Sequence, residues 1–497
     1  MPPRKHLSDA ERNFFELVFK AGMTNPFSDA RSALDASIAG VFPEMEKQER
    51  IRRMVEEVSR KIALLEKEGR ASLDAYEGRD KVLLRTTFLF ELFYTFRRKF
   101  DALIEAQMEA GAGPVRVPFT KEALALLQKR GLKTKNTFEL AFQLRRAYHF
   151  IDRSLLGRSI SMKRFRESLW NNVFTQSLDL YERYLVNRME DFSTLILGET
   201  GTGKGSAAAA IGRSGYIPFD AEKERFVESF TVAFVPLNLS QFPESLMESE
   251  LFGHKKGSFT GAVEDFKGVF ARCSPHGAIF LDEIGEISTP VQIKLLHVLQ
   301  ERIFYPVGSH EALRFHGRVI AATNKSLGDL RERVFRDDFY YRLCSDIIVV
   351  PPLRQRLRED PGELDALLAH TVNRLVGVPS PELASMAKTA LVQRLGPEYP
   401  WPGNVRELEQ AVRRILLTSA YEGESRRRPA SLDDHILEGI ATGALTAQEL
   451  LMAYCARRYE ASRTYEEVAR QTGLDRRTVK KYVDGWKALQ VAPSPGS

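Results

Sequence analysis

The chain has 497 residues, 43% of them hydrophobic and 28% charged, with 72 basic against 66 acidic side chains and a formal net charge of +6. That length accommodates roughly three domains of about 150 residues and a sizeable buried core, and the near balance of charge makes the placement of the basic residues matter more than their sum. No apolar run approaches the ~18 residues of a membrane helix, MPPRKHLSDAERN lacks the apolar core of a signal peptide, and Cys273, Cys344 and Cys455 stand too far apart for a metal-type or redox-type pair. These features exclude a membrane-spanning or disulfide-stapled protein and point to a reducing, cytoplasmic setting.

Residues 1–150 read as a helical N-terminal domain, with a regulatory role as the expectation. Ile51, Val55, Val58, Ile62 and Leu65 recur at alternating spacings of four and three, which places them on one helix face among charges. Leu89, Phe93, Phe96 and Phe100 form a second stripe, read first as core, with a sensor pocket or a docking face as the alternatives. The region offers no nucleophile, metal cluster or phosphate loop.

Beyond about residue 155 short apolar runs alternate with helical stretches: STLILGETGTGKG, VAFVPLN, GAIFLDEIGEI, GRVIAATN and DIIVVPPL. Runs bounded by Gly or Pro and separated by helices predict an α/β fold, a parallel sheet with helices on both faces, over 155–355. Residues 356–422 read as a helical lid, 423–444 as a polar linker containing SRRRPASLDD, 445–490 as a small helical unit, and APSPGS as a disordered tail.

In LILGETGTGKG, an apolar strand runs directly into Gly198, Gly201, Gly203 and Lys204. This is the G-x-x-x-x-G-K part of a phosphate-binding loop: glycines let backbone N–H groups curl around phosphate oxygens, the following helix adds its positive N-terminus, and the lysine supplies a point charge. Glu199, Thr200 and Thr202 complete the loop. Gly205 and Ser206 stand where a Ser or Thr on magnesium is usual. A second apolar strand ends in Asp282-Glu283, the pair that ATP hydrolysis needs, one carboxylate for hydrated Mg²⁺ and the neighbour for the attacking water. A third ends in Thr323-Asn324, a polar tip suited to positioning that water. Strand ends converging on one ligand match the binding rule for open α/β sheets. A further stretch, GHKKGSFTGA, sets Phe259 and Thr260 among glycines at 253, 257 and 261, and reads as a mobile loop with a bare aromatic at its tip.

Over about 155–420 these residues resemble the AAA+ bacterial enhancer-binding proteins that activate the sigma-54 form of RNA polymerase. ESELFGHKKGSFTGA is similar to that family's signature, whose loop reads G-A-F-T-G-A; Ser258 replaces the alanine and Lys255 stands where glutamate is common. The resemblance implies an AAA+ ATPase with a helical lid, using ATP and Mg²⁺, with Asp282 as the metal-binding carboxylate. It assigns Gly257, Ser258, Phe259, Thr260, Gly261 and Ala262 to sigma-54 contact. It implies that Asn238 hydrogen-bonds the catalytic Glu283 and links it to the loop, that Arg336 and Arg342 in FRDDFYYRL act as arginine fingers in the neighbouring subunit's site, and that Arg406 in WPGNVRELEQ senses the phosphates. GRSISM resembles the start of the domain. Arginines supplied in trans imply a ring, and the family assembles hexamers.

TYEEVARQTGLDRRTVKKYVDGWKAL fits a helix-turn-helix: small Ala469 where two helices cross, Gly473 in the turn, Val479 packing back. Thr464 and Glu467 have the spacing of a capping box. Arg476, Arg477, Thr478, Lys480 and Lys481 open the second helix, where a recognition helix meets double-stranded DNA. The leading reading is thus an ATP-driven activator that binds upstream DNA and remodels the sigma-54 polymerase complex. The alternative is a AAA+ remodeller of another protein that docks through its C-terminal unit; a repressor using nucleotide only for assembly fits the catalytic set less well.

Overall fold

The computed structural model describes residues 5–396, 398–419, 421, 423, 436–437, 439–440 and 445–491. Most of the expected linker and the expected disordered tail lie outside the described residues. The chain divides into two compact units, Met1–Ala420 and Tyr421–Ser497. Among the described residues no helix is long and apolar enough to cross a membrane, and Cys273, Cys344 and Cys455 are free thiols.

The first unit begins with α1 (Asp9–Met23), α2 (Asp29–Ala39), α3 (Lys47–Lys67), α4 (Gly78–Ala110), α5 (Thr120–Lys129), α6 (Thr134–Ser154) and α7 (Ile160–Phe174). α1 starts at a reciprocal capping box between Ser8 and Glu11. The α3 stripe faces inward: Val58, Ile62 and Leu65 are buried, and Ile51 and Val55 pack against the same core. The α4 stripe divides. Phe96 and Phe100 are core, stacked on or edged against Phe119, whereas Leu89 and Phe93 line a cavity. Leu89 is also buried in that core, and Phe93 packs against it.

Then follow α8 (Leu178–Leu180), β1 (Thr194–Leu197), α9 (Lys204–Gly212), β2 (Phe219–Asp220), β3 (Arg225–Phe226), β4 (Phe234–Asn238), α10 (Glu244–Phe252), α11 (Val269–Arg272), β5 (Ala278–Asp282), α12 (Thr289–Glu301), β6 (Ile303–Phe304), β7 (Leu313–Arg314), β8 (Arg318–Thr323), α13 (Leu327–Asp329), α14 (Asp337–Leu343) and β9 (Asp346–Val349). The five predicted runs form one all-parallel sheet in the order β4-β5-β8-β1-β9. Alternation decides which face each residue takes. Leu195, Ile279, Leu281, Val319 and Ala321 join a core with α12 and α14; Ile196, Phe280, Ile320 and Ala322 join the opposite core with α9. The lid closes the unit: α15 (Leu353–Glu359), α16 (Glu363–Val376), α17 (Pro381–Leu395) and α18 (Asn404–Thr418).

The second of those cores continues without a break into the N-terminal helices. Phe138 on α6 meets Phe219 and Phe226 of the β2–β3 hairpin. Glu139 accepts hydrogen bonds from the Phe219 N–H at 2.7 Å and from the Tyr216 hydroxyl. Gln143 donates to the Ser214 carbonyl at 3.0 Å, and Arg146 to that of Gly215. The boundary expected near residue 150 thus falls inside α6, and a chain begun there would expose the rings that α6 covers.

In the second unit, helices Ala447–Ser462, Tyr465–Thr472 and Arg476–Val491 close around Cys455, Val468, Val479 and Val483. Gly473 takes the left-handed φ of 71° in the turn, and its N–H returns to the Ala469 carbonyl. The expected capping box at Thr464 is absent: Glu467 turns instead to Arg470 and Gln471. The box is one helix earlier, between Thr446 and Glu449.

Candidate nucleotide site and partner loop

The loop after β1 and the lid, at the starts of α15 and α18, are built into each other. Gly201 has φ 79°, and a Cβ there would overlap the Gly403 carbonyl and press on the Arg406 side chain. The Val405 N–H donates to the Gly201 carbonyl at 3.1 Å. Asn404, itself in the left-handed region, donates to the Glu199 carboxylate and the Thr200 carbonyl, both at 3.1 Å, and accepts from the Leu353 N–H at 2.7 Å. Arg354 grips Glu199 with both terminal nitrogens, at 2.7 and 2.5 Å, and this bond holds the Glu199 carboxyl below its ordinary pKa. Glu199 therefore serves the loop by tying it to the lid.

A cavity of about 390 Å³ opens beside this junction, lined by Thr200, Gly201, Thr202, Gly203, Lys204, Gly205 and Ser206, by Asp282 and Glu283, and by Arg406. Gly203, at φ 106°, caps α9. Gly198 lies behind the loop, its N–H donating to the Thr323 carbonyl. Lys204 is buried, and its ammonium donates to the carbonyls of Gly198 and Glu199, at 2.8 and 3.3 Å. Burial pulls its pKa down, against the opposing pull of Glu283 and Asp282. A desolvated cation resting on two carbonyls at a helix N-terminus is a seat for an anion, and the volume falls in the range of ligand sites. Gly205 leaves open space, since a Cβ there would meet only the Phe280 ring at 4.0 Å.

Asp282 ends β5 and accepts the Glu283 N–H at 3.1 Å. Glu283 sits at φ 56°, a conformation uncommon outside glycine. Among the described residues no group of three His, Cys, Asp or Glu side chains could hold a metal by itself. The arrangement suits Mg²⁺, which is held by one or two carboxylates together with substrate phosphates and water.

Other expected residues are placed differently. Asn238 pairs in register with Asp282, but its side-chain oxygen accepts from the Ser240 N–H and hydroxyl, at 3.0 and 2.8 Å. The bond to Glu283 implied by the resemblance is not formed; the oxygen caps the turn Leu239–Gln241 instead. Asn324 reaches the Thr200 hydroxyl at 3.5 Å without lining the cavity. Arg336 pairs with Asp338 at 2.8 Å, and Arg342 donates to the Leu299 carbonyl at 2.9 Å; neither lines the cavity of its own chain. The lid adds His370, Thr371 and Arg374 from α16, with the His370 pKa lowered by burial and then by Arg374. These were missed because a lid helix shows only its apolar period in sequence; Asn404, inside WPGNV, carried the one visible signal.

The GHKKGSFTGA loop is folded down. Phe259 is half-buried, its ring edge-on to His254 at 4.9 Å, so the bare tip expected from sequence is instead Thr260 and Gly261, both exposed. Gly257 and Gly261 adopt φ 80° and 103°, and the Gly257 N–H closes onto the Ala262 carbonyl at 2.8 Å. Ser258 packs on Gly308, its hydroxyl buried without a partner. Lys255 pairs with Asp265 at 3.2 Å, and Asp265 also accepts the Lys256 N–H at 2.8 Å.

Residues 160–348 match the family described as "Sigma-54 interaction domain". The chain carries a sigma-54 interaction domain. Similar proteins are Nitrogen fixation protein AnfA of Azotobacter vinelandii, 37% identical over 63% of this chain and 57% of that protein; the Nif-specific regulatory protein of Azotobacter vinelandii, 43% identical over 46% and 40%; and Regulatory protein AtoC of Escherichia coli, 35% identical over 50% and 51%. The chain spans about half the length of the curated relatives it matches. The matched residues take in β1 to β8 and most of β9, the cavity residues Thr200–Ser206, Asp282 and Glu283, and the folded-down loop.

Proposed function

We propose that this protein is an ATP-hydrolysing, sigma-54-dependent transcriptional regulator of the cytoplasm. The observation that carries the reading is the presence, in one sigma-54 interaction domain, of the Lys204–Asp282–Glu283 cavity and the Gly257–Ala262 loop. The two are linked by chain: β4 ends at Asn238 beside Asp282, and α10 follows it and delivers Gly253 to the loop. In this reading Lys204 draws the phosphates, Asp282 holds Mg²⁺ and Glu283 orients the attacking water, while ATP supplies the transferable phosphoryl group. Arg336 and Arg342, which point to no role in their own chain's cavity, complete the site of the next subunit of a hexameric ring. Rearrangement at Asn238 releases Phe259 from His254 and offers it, with Thr260, to sigma-54 in its complex with RNA polymerase; burying one aromatic ring in a partner contributes roughly 1.5–3 kcal/mol.

The test is ATP-dependent open-complex formation by the full chain with sigma-54 RNA polymerase on supercoiled promoter DNA. Wild type is expected to form open complexes and Thr260→Ala to lose them while still hydrolysing ATP. Absence of ATP-dependent opening, or wild-type behaviour of Thr260→Ala, sinks the reading.

The C-terminal unit is proposed to bind double-stranded DNA. Arg477, Lys480 and Lys481 are exposed; Arg476 pairs with Glu466 at 2.7 Å, and the Thr478 hydroxyl is taken by Asp475. Replacing Arg477, Lys480 and Lys481 together by Ala is expected to abolish gel-shift binding by the full chain at moderate salt. The log–log salt slope should fall by ~0.9 for each phosphate contact removed. An unchanged slope would assign this unit to protein docking.

A further inference from the structure

Away from the nucleotide cavity, helices α1, α2, α3, α4, α6 and α7 enclose a second space of about 150 Å³. Aromatic rings form part of its wall: Phe90, Phe93 and Tyr94 from α4, Tyr148 from α6 and Trp170 from α7. A cavity of ~150 Å³ with apolar walls is the size that admits one benzene ring.

Its charge is one-sided. Five cations line it, Arg31, Lys47, Arg50, Arg97 and Arg145, against a single carboxylate, Asp35. Asp35 is spent on Arg31 at 2.6 Å, and Arg145 is neutralised from outside by Asp101 at 2.7 Å. The remaining three pair with no carboxylate among the described residues. Arg50 is 7% exposed; one terminal nitrogen donates to the carbonyls of Pro43 and Met45, and its Nε is buried without a partner. Among the described residues Lys47 reaches Tyr148, through the hydroxyl at 3.1 Å and the ring face. Arg97 makes no ion pair among the described residues. Arg50 is buried and Arg97 half-buried, while Lys47 is exposed at the rim; a buried cation is costly when unpaired, and a site that leaves one so is stabilised by an anionic ligand.

We propose that this cavity binds a small organic anion built on a single aromatic ring, the ring held among Phe93, Tyr94, Tyr148 and Trp170 and the anionic group met by Arg97 and Lys47. The site is formed jointly by the N-terminal helices and the nucleotide domain. α7, which brings Trp170 to it, also carries Met162 and Phe165 into the nucleotide cavity. The N-terminal region therefore has a means of reading a metabolite and a rigid element that reaches the ATP site.

The test is titration calorimetry of the full chain with benzoate, benzamide and acetate as probes. Benzoate is expected to bind saturably. Benzamide, which keeps the ring and lacks the charge, and acetate, which keeps the charge and lacks the ring, should each bind at least about tenfold more weakly, the scale of one charge-assisted hydrogen bond or one buried ring. Arg97→Gln should weaken benzoate by a similar factor and Arg97→Lys should recover most of it; Arg97 has no ion pair to lose, so its variants keep the wild-type melting temperature. Lys204→Ala, which damages the nucleotide cavity alone, should leave benzoate binding unchanged. No saturable benzoate binding, equal binding of benzamide, or benzoate binding indifferent to both Arg97→Gln and Trp170→Leu overturns the proposal. None of these results bears on ATP hydrolysis, so the reading of the nucleotide site stands or falls separately.

Discussion

Glu283→Gln is expected to bind ATP as tightly as wild type and to hydrolyse it about 10²–10⁴-fold more slowly, the range lost when a positioned proton acceptor is removed. The geometry separates the two effects. In the proposed reading the charge that attracts the phosphates is Lys204, which the structure holds on the carbonyls of Gly198 and Glu199. Glu283 is on a different element, just past the end of β5, where its left-handed backbone places it on the cavity wall beside Asp282. Gln keeps its volume and much of its hydrogen bonding, so the distorted backbone at this position is not asked to accept a new shape. Lys204→Ala should show the opposite pattern, with binding lost first. The measurement is equilibrium ATP binding alongside single-turnover hydrolysis on the same preparations. Turnover near wild type in Glu283→Gln would remove Glu283 from the mechanism.

What sequence made legible follows a physical division. The five strands could be read because each buries alternate residues against two different cores, leaving short apolar runs bounded by Gly or Pro. Lys204, Asp282 and Glu283 could be read because strand ends and a glycine loop restrict which residues fit. The folded-down state of Phe259 could not, because it depends on His254 and Phe266 meeting across an isolated bridge, a contact that neither segment encodes alone. Nor could the fate of Asn238, whose side-chain oxygen caps its own turn through the Ser240 N–H and hydroxyl. Most of all, the union of the N-terminal helices with the sheet was hidden. Phe138, Glu139 and Gln143 look like an ordinary amphipathic helix until the β2–β3 hairpin is set against them.

Glu363→Ala should destabilise the first unit by ~3–5 kcal/mol, the cost of leaving a buried charge without its partner. Arg356 and Glu363 are 4% and 0% exposed in their side chains. The Arg356 Nε donates to Glu363 at 2.7 Å, and a terminal nitrogen donates to the Leu156 carbonyl, also at 2.7 Å. The other Glu363 oxygen accepts the N–H groups of Arg158 and Ser159, at 2.5 and 3.3 Å. A Cβ at Gly157 would overlap this carboxylate, so the segment 156–159 can lie here only with glycine at that place. One carboxylate therefore fastens the entry to α7 onto the lid, and its loss orphans a guanidinium and two backbone donors at once. Burial already pulls the Arg356 pKa down, which marks how little solvent is available to replace the lost partner. Urea unfolding should register the loss, and ATP affinity should fall with it, because Arg356 and Met162 both line the nucleotide cavity. The double replacement Arg356→Met with Glu363→Leu should recover much of the stability, since an apolar pair of similar volume carries no desolvation cost. It should not recover ATP binding in full, because the N–H groups of Arg158 and Ser159 still lack an acceptor and the segment they position remains loose. A stability loss below about 1 kcal/mol in Glu363→Ala would mean that water reaches this pair, and that the lid and α7 are joined by packing alone.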